Sequence, residues 1–370
     1  LATAQSCLRE CLERWPLDAD AHFLLARTCR RQDDIAGCLR HLDDASVLQW
    51  PRQEIDFEYS LWRAQTGDLR TTEPGLRSRL ASYTPDEELI LEALCKGCLE
   101  THLLADVRQW SERWMEHFPQ AYLPYLYRGR SFEIGRSLDR AATDYEQVLK
   151  QKSDQPQALL SLAGVCMLQE KFAAALQHYE TYFTRSPDDV AALLGAANCA
   201  LSLGRPENAR AYLDRLFARQ KEHPGGLLLE AKLELDANRP AAALEFLKRA
   251  EAVAPHETDI TYALLQAHQR LGHAVEVKEI EKRLEELRQR FKRLEELRKQ
   301  IARDPDNVPL RFEAGNVCLA LGHDDEAIRW FHSVLQLDPE HAPTHRLLAD
   351  YFHRLGDEQR AELHRRQATR

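Results

Sequence analysis

Small residues recur along this chain at a step of 34. Ala26, Ser60, Cys95, Gly129, Ala163, Ala197 and Ala231 are followed by Leu265, Gly315 and Ala349, at successive separations of 34, 35, 34, 34, 34, 34, 34, 50 and 34 residues. A second series lies twelve residues beyond the first: Cys38, Thr72, Val107, Ala141, Ala175, Ala209, Ala243, Val277, Ala327 and Ala361. A fixed period of this length means that one supersecondary unit is copied along the chain. One copy is too short to bury its own apolar face, so the copies must stack. Two helices that cross closely need a small side chain at the crossing, and a bulky one forces them apart. The period therefore points to an array of stacked copies of one unit, in which the small residues mark close contacts.

The cleanest copy is VPLRFEAGNVCLALGHDDEAIRWFHSVLQLDPEH, residues 308–341. It carries Ala314 and Gly315, a turn glycine at Gly322, then Ala327, Phe331, Val334 and Pro339. This unit resembles the tetratricopeptide repeat (TPR), a pair of antiparallel helices A and B. Counted in that repeat, the first small series is position 8 and the second is position 20. Leu42, Tyr145, Tyr179, Leu213, Leu247 and Phe331 fill a large apolar position four residues after the second series. Pro119, Pro187, Pro255 and Pro339 stop helix B, because proline lacks the donor that a helix interior needs. Asp188-Asp189 and Asp324-Asp325 stand just before helices and read as caps rather than catalytic acids. The resemblance implies an all-α fold, a right-handed α-solenoid (a TPR superhelix) of about ten repeats.

The register divides the chain into an orphan helix B over 1–16, seven repeats over 17–257, an irregular repeat over 258–307 and two C-terminal repeats over 308–370. Ala4, Leu8, Cys11 and Pro16 fill the slots of the orphan helix. Leu8 and Leu12 are then uncovered, which leads to the expectation that further residues precede Leu1, with room for a signal or anchor. In the last helix Arg365 stands where other repeats carry an apolar side chain, as suits a polar cap.

The period breaks twice. Thr72 is followed by Pro74 and Gly75, both poor in a helix interior. The expectation is a helix B that starts late or is irregular, and a local fault between Gln65 and Pro85, with a change of superhelical curvature there. The step of 50 between Leu265 and Gly315 marks an insertion, with no Pro or Gly from Val275 to Arg303. One long amphipathic helix over 275–303 follows, striped by Val277, Ile280, Leu284, Leu287, Phe291, Leu294 and Ile301. Glu279→Arg283, Glu286→Arg290 and Glu295→Lys299 are i,i+4 pairs in the favourable order. The stripe either packs on its own array or pairs with a second copy through Leu284, Leu287, Phe291 and Leu294, giving a homo-oligomer.

The resemblance implies that helix A lines the concave face and that ligand contacts come from positions 2, 5, 6, 9, 12 and 13. In the first full repeat these positions include Phe23, Arg27, Arg30 and Arg31, and in the fourth Tyr127 and Arg130. The middle repeats offer Leu160 and Met167, then Leu194, Asn198 and Leu201, then Leu228, Lys232 and Leu235. The repeat before the long helix offers Tyr262 and Gln266. An apolar strip of this kind suits an amphipathic helix or an apolar extended segment of a partner. The Lys/Asn clamp that the resemblance would imply for chaperone-tail adaptors is absent: Leu194 and Phe312 hold position 5 in the repeats whose position 9 is Asn198 and Asn316.

Chemistry is sparse. The chain has no phosphate loop, GxSxG elbow or HExxH pair. Cys95 and Cys98 form a CxxC, yet the register puts both at packing positions, alongside Cys29, Cys38, Cys166 and Cys318. The C-terminal histidines, His323, His332, His341, His345, His353 and His364, read as a solvated surface, with Pro343 between His341 and His345. No metal and no cofactor is expected. A net charge of −9 argues against nucleic acid, and no apolar run is long enough to span a membrane. Scattered, odd-numbered cysteines suit a reducing cytoplasm. The reading is a non-catalytic scaffold or adaptor that binds a protein or peptide in its groove. The alternatives are a self-assembling structural protein, and a helper domain of a larger enzyme or of a secretion or assembly machine.

Overall fold

The computed structural model describes residues 2–81 and 84–369, which hold 21 α-helices and no strand. After α1 (Ala2–Arg14) come ten helix pairs. They are α2 (Ala19–Arg31) with α3 (Ile35–Val47), α4 (Arg52–Gln65) with α5 (Leu69–Leu80), and α6 (Glu87–Glu100) with α7 (Leu104–His117). Next are α8 (Leu123–Ile134) with α9 (Leu138–Gln151), α10 (Pro156–Leu168) with α11 (Phe172–Phe183), and α12 (Val190–Ser202) with α13 (Pro206–Arg219). The remainder are α14 (Pro224–Asp236) with α15 (Pro240–Val253), α16 (Thr258–Leu271) with α17 (Ala274–Arg303), α18 (Val308–Ala320) with α19 (Asp324–Leu337), and α20 (Ala342–Arg354) with α21 (Glu358–Ala368). The architecture is an all-α solenoid of helix pairs, in two compact units of residues 1–119 and 120–370.

The small series marks the crossings. Ala26, Cys95, Ala163, Ala197 and Ala231 on the first helices, and Cys38, Ala141, Ala175, Ala243, Ala327 and Ala361 on the second, have no exposed surface. Two positions need glycine itself. A Cβ on Gly129 would lie 2.8 Å from the Tyr145 ring, and one on Gly315 would lie 2.4 Å from the Phe331 ring. The large side chain at position 24 thus fills the space that the small one leaves.

Each pair turns through a left-handed residue seven positions after the small one. Gly67, Gly204, Gly272, Gly322 and Gly356 hold that turn with φ between 69° and 100°. Asp33, His102, Arg136, Glu170 and Asn238 hold the same turn with φ between 56° and 62°. A residue with a Cβ is strained there by roughly 1–2 kcal/mol, so packing of the pair enforces the turn where the sequence does not favour it.

The second pair departs from the pattern, though not as the sequence suggests. α5 does not start late: Asp68 precedes it and Leu69 begins it, in the register of α7 and α9, with Pro74 inside the helix. The fault lies in the packing. Ser60 is only half-buried and bonds back to the Asp56 carbonyl at 2.8 Å, while Leu61 and Ala64 are fully buried. α4 lies against α6 over more of its length than against its own partner α5. A Cβ on Gly97 would stand 2.0 Å from the Ala64 carbonyl oxygen, so the two backbones touch there. α5 offers only Leu69, Thr72, Leu76 and Leu80 for burial, and α4 finds its apolar cover on α6 instead.

The long helix α17 splints two cores. Ile280 packs on the core of α14–α16, whereas Leu287, Leu294, Leu297 and Ile301 enter the core of α18–α21. Some of its arginines reach outward to other helices, while Arg298 pairs along the helix with Glu295 as well as outward with Glu326. Arg283 pairs with Glu251, Arg290 donates to the Ala320 carbonyl at 3.0 Å, and Arg293 forms a two-pronged pair with Glu313 at 2.6 and 2.7 Å. The two KRLEELR segments of α17 therefore act alike on different neighbours: each buries two leucines, the first sends Arg283 to Glu251, and the second sends Arg293 to Glu313 and Arg298 to Glu326.

Candidate partner-binding surfaces

In the first unit, the charges placed in the groove by sequence are engaged within the chain. Glu58 of α4 accepts from both Arg27 and Arg30 of α2, the latter at 2.8 Å. Arg30 also donates to Gln65 Oε1 at 3.1 Å, and Gln65 Nε2 donates back to the Arg30 carbonyl at 2.9 Å. Arg31 reaches across to Glu92 of α6 at 2.7 Å, and Lys96 reaches Asp33 at 2.9 Å. Phe23 is buried and stacks on Trp50 with centroids 5.0 Å apart. Phe23 and Arg30 are thus core residues rather than groove contacts, a correction that follows from the acidic partners on α4 and α6. Openings that remain in this unit include a cleft of about 380 Å³ between α1 and α2, lined by Ala4, Cys7, Leu8 and Leu24 with Arg27 and Arg31 at its edge, and a more polar one of about 640 Å³ lined by Thr84, Pro85, Glu87, Glu116, His117 and Phe118.

In the second unit the first helices of successive pairs, α8, α10, α12, α14 and α16, lie side by side. On α8, Tyr127 is half-buried and Arg130 is exposed and paired with Glu133 at 3.0 Å. Glu133 also accepts from the Tyr145 hydroxyl at 2.6 Å. On α10, Leu160 and Met167 are half-buried against the core, the Tyr179 hydroxyl meets the Met167 sulfur at 3.3 Å, and Leu168 is 52% exposed. A Cβ on Gly164 would meet nothing within 4 Å. On α12, Leu194 and Leu201 are half-buried and flank a half-buried Asn198. On α14, Leu228 and Leu235 are buried in the core, which removes them from the surface and leaves Lys232 half-buried. On α16, Tyr262 is 49% exposed and Gln266 half-buried.

Models of the tetratricopeptide repeat match residues 1–37 and 128–182, residues 167–233, and residues 287–369. The chain is a tetratricopeptide-repeat protein. The chain is also similar in part to solved structures. PilW, a widely conserved type IV pilus biogenesis factor, is 22% identical over 50% of this chain and 90% of its own, with a TM-score of 0.43. PilF of Pseudomonas aeruginosa is 13% identical over 55% of this chain and 92% of its own, with a TM-score of 0.47. YrrB, a TPR protein with an unusual peptide-binding site, is 13% identical over 63% of this chain and 95% of its own, with a TM-score of 0.36. No curated protein matches the chain significantly. Among the described residues, no helix is long and apolar enough to cross a membrane.

The face assigned to self-association in this TPR protein is occupied by the chain itself. Leu284, Leu287 and Leu294 are 4%, 3% and 1% exposed, and Phe291 is half-buried beside His323 with ring centroids 5.8 Å apart. α17 turns its stripe onto α16 and α18, so it is not offered to a second copy.

The CxxC is closed to solvent. Cys95 Sγ lies 3.6 Å from Ser111 Oγ and 4.0 Å from the Val107 carbonyl, at the α6–α7 crossing. Burial pushes its thiol up to about 12, and burial likewise raises Cys98 well above its ordinary value. A protonated, enclosed thiol is neither a nucleophile nor a ready redox partner. The C-terminal histidines are less solvated than the sequence suggests: His345 is 5% exposed, and His341 caps α20 by accepting from Thr344 N at 3.3 Å. Two clusters bring histidine and carboxylate donors together, His22 with His41 and Asp44, and His268 with His273 and Glu276. Sequence reading missed both. The signal for the first was a pair of histidines at repeat positions 4 and 23, seen again at His345 and His364.

Proposed function

We propose that this TPR protein is a non-catalytic scaffold that binds an apolar peptide segment of a partner protein across α10 and α12. One observation carries the reading: Leu160, Met167, Leu168, Leu194 and Leu201 stay partly or largely exposed on adjacent first helices, beside the open space at Gly164. Apolar side chains in a row, rather than scattered singly, mark a surface that gains by being covered. Asn198 stands among them with both a donor and an acceptor, which suits the backbone of a bound segment. Tyr262 and Gln266 extend the strip on α16, and Lys232 adds a cation beside it. Arg27, Arg31, Tyr127 and Arg130 are peripheral in this reading, since Arg27, Arg31 and Arg130 already hold carboxylates within the chain.

A photoreactive residue placed at Leu168 should capture a partner in cells, and the same residue at Gln177, exposed on α11, should not. Leu160→Asp in the Leu168-labelled chain should reduce capture at least tenfold. Equal capture from positions 168 and 177, or capture indifferent to Leu160→Asp, overturns the assignment of the face.

A further inference from the structure

His22 on α2 and His41 and Asp44 on α3 turn three donor atoms toward one point. His22 Nδ1 is 3.1 Å from His41 Nδ1 and 3.4 Å from Asp44 Oδ2, and His41 Nδ1 is 3.7 Å from the same oxygen. His22 is 9% exposed, while the Asp44 side chain is 46% exposed and opens the cluster to solvent on one side.

The tautomer of His22 is fixed from outside the cluster. Its Nε2 lies 3.1 Å from the Pro16 carbonyl, which can only accept, so Nε2 carries the proton and Nδ1 presents a lone pair. A backbone carbonyl holding the far nitrogen is the usual support of a metal-binding imidazole. His41 Nδ1 can give its proton to only one neighbour. Without a further cation, a carboxylate oxygen and an imidazole lone pair then face each other at 3.4 Å and repel. A point about 2.0 Å from all three atoms relieves this, and that is the length of a zinc–nitrogen or zinc–oxygen bond.

We propose that His22 Nδ1, His41 Nδ1 and Asp44 Oδ2 bind a zinc-class divalent ion, with water completing the fourth position on the open side. Imidazole and carboxylate together suit this class of ion better than calcium or magnesium, which prefer oxygen donors throughout. The ion ties the turn at Pro16 to both helices of the first full repeat.

The same chain contains a control. His345 and His364 occupy the equivalent repeat positions, with Nδ1 atoms 2.9 Å apart and His345 Nε2 2.8 Å from the Pro339 carbonyl. The position that Asp44 fills in the first repeat is Gln367 in the last, and His364 is stacked on Phe352 at 5.6 Å. An amide there brings no charge, and a direct histidine–histidine hydrogen bond satisfies the pair.

The test is calorimetric titration of Zn²⁺ into the metal-stripped full chain. Asp44→Asn and His41→Gln should each weaken binding at least about tenfold, since loss of a supporting group alone costs 10–100-fold. His364→Gln and His268→Gln should leave that site unchanged. Co²⁺ in the same site should show the intense visible absorption of a four-coordinate ion, and Asp44→Asn should diminish it. Asp44 is half-exposed, so Asp44→Asn keeps the fold, which circular dichroism checks. No binding to the wild type, or binding that Asp44→Asn and His41→Gln leave unaltered, overturns the proposal.

Discussion

Removing the charge of Glu58 should unfold the first unit far more readily than a surface change would. Glu58 and Arg30 both have fully buried side chains, and Glu58 holds two arginines at once. Arg30 Nη2 has no hydrogen-bond partner among the described residues, so the guanidinium relies on Glu58 and Gln65 alone. Breaking a buried pair from one side costs about 3–5 kcal/mol, because a charge is left desolvated and unpaired. Glu58→Gln keeps the shape and one acceptor, which places it at the lower end, about 3 kcal/mol. Replacing both partners, as in Arg30→Met with Glu58→Leu, removes the stranded charge, and Arg27 is exposed enough to turn into water. That double variant should recover most of the loss. The assay is urea unfolding followed by tryptophan fluorescence, since five of the six tryptophans (Trp15, Trp50, Trp62, Trp110 and Trp114) lie in residues 1–119. With an m-value of about 2 kcal/mol/M, Glu58→Gln should lower the midpoint of this unit by about 1.5 M. A shift below about 0.3 M, or a double variant as weak as the single one, would refute the argument.

Further outcomes follow from the same packing. Gly97→Ala should destabilise the first unit by about 3 kcal/mol or more, because backbone rather than a movable side chain stands 2.0 Å from the new Cβ, and thermal denaturation reads this directly. Glu170→Gly should instead stabilise the second unit by roughly 0.5–1 kcal/mol, since φ of 59° strains a residue with a side chain; an unchanged or lower melting temperature contradicts the turn argument. Of the nine cysteines, exposed Cys7 should react first with a thiol reagent at pH 8, Cys11 more slowly, and the seven buried ones only after denaturation. Burial, then His345, holds His364 down to about 4, so the folded chain keeps it neutral where the unfolded chain takes a proton. Stability should therefore fall as pH drops from about 6.5 toward 4; His364 contributes about 2 kcal/mol of this at pH 5, and His364→Gln should remove that share, while His332, which burial likewise holds down to about 4, keeps its own.

The 34-residue period, with the likeness of its unit to the tetratricopeptide repeat, was enough for the all-α class, the number of pairs and the crossing positions, because sterics at a helix crossing act on residue size, which sequence states outright. It also identified Cys95 and Cys98 as packing residues. What the period could not carry is which neighbour each side chain meets. Arg27, Arg30 and Arg31 look like ligand contacts until Glu58 and Glu92, 31, 28 and 61 residues away, come to rest against them. Leu228 and Leu235 differ from Leu160 and Leu194 only in how closely adjacent helices approach, a matter of local pitch. The stripe of α17 fits a second copy as well as its own array, and only the placement of α18 turned it inward. Pro74 misled because a helix held by packing tolerates one lost hydrogen bond. The left-handed turn at Asp33, His102, Arg136 and Glu170 has no sequence signature at all, since the tertiary contacts of each pair impose it against local preference. The convergence of His22, His41 and Asp44 is of the same kind: sequence supplied the donors, and the crossing of α2 on α3 brought their atoms to one point.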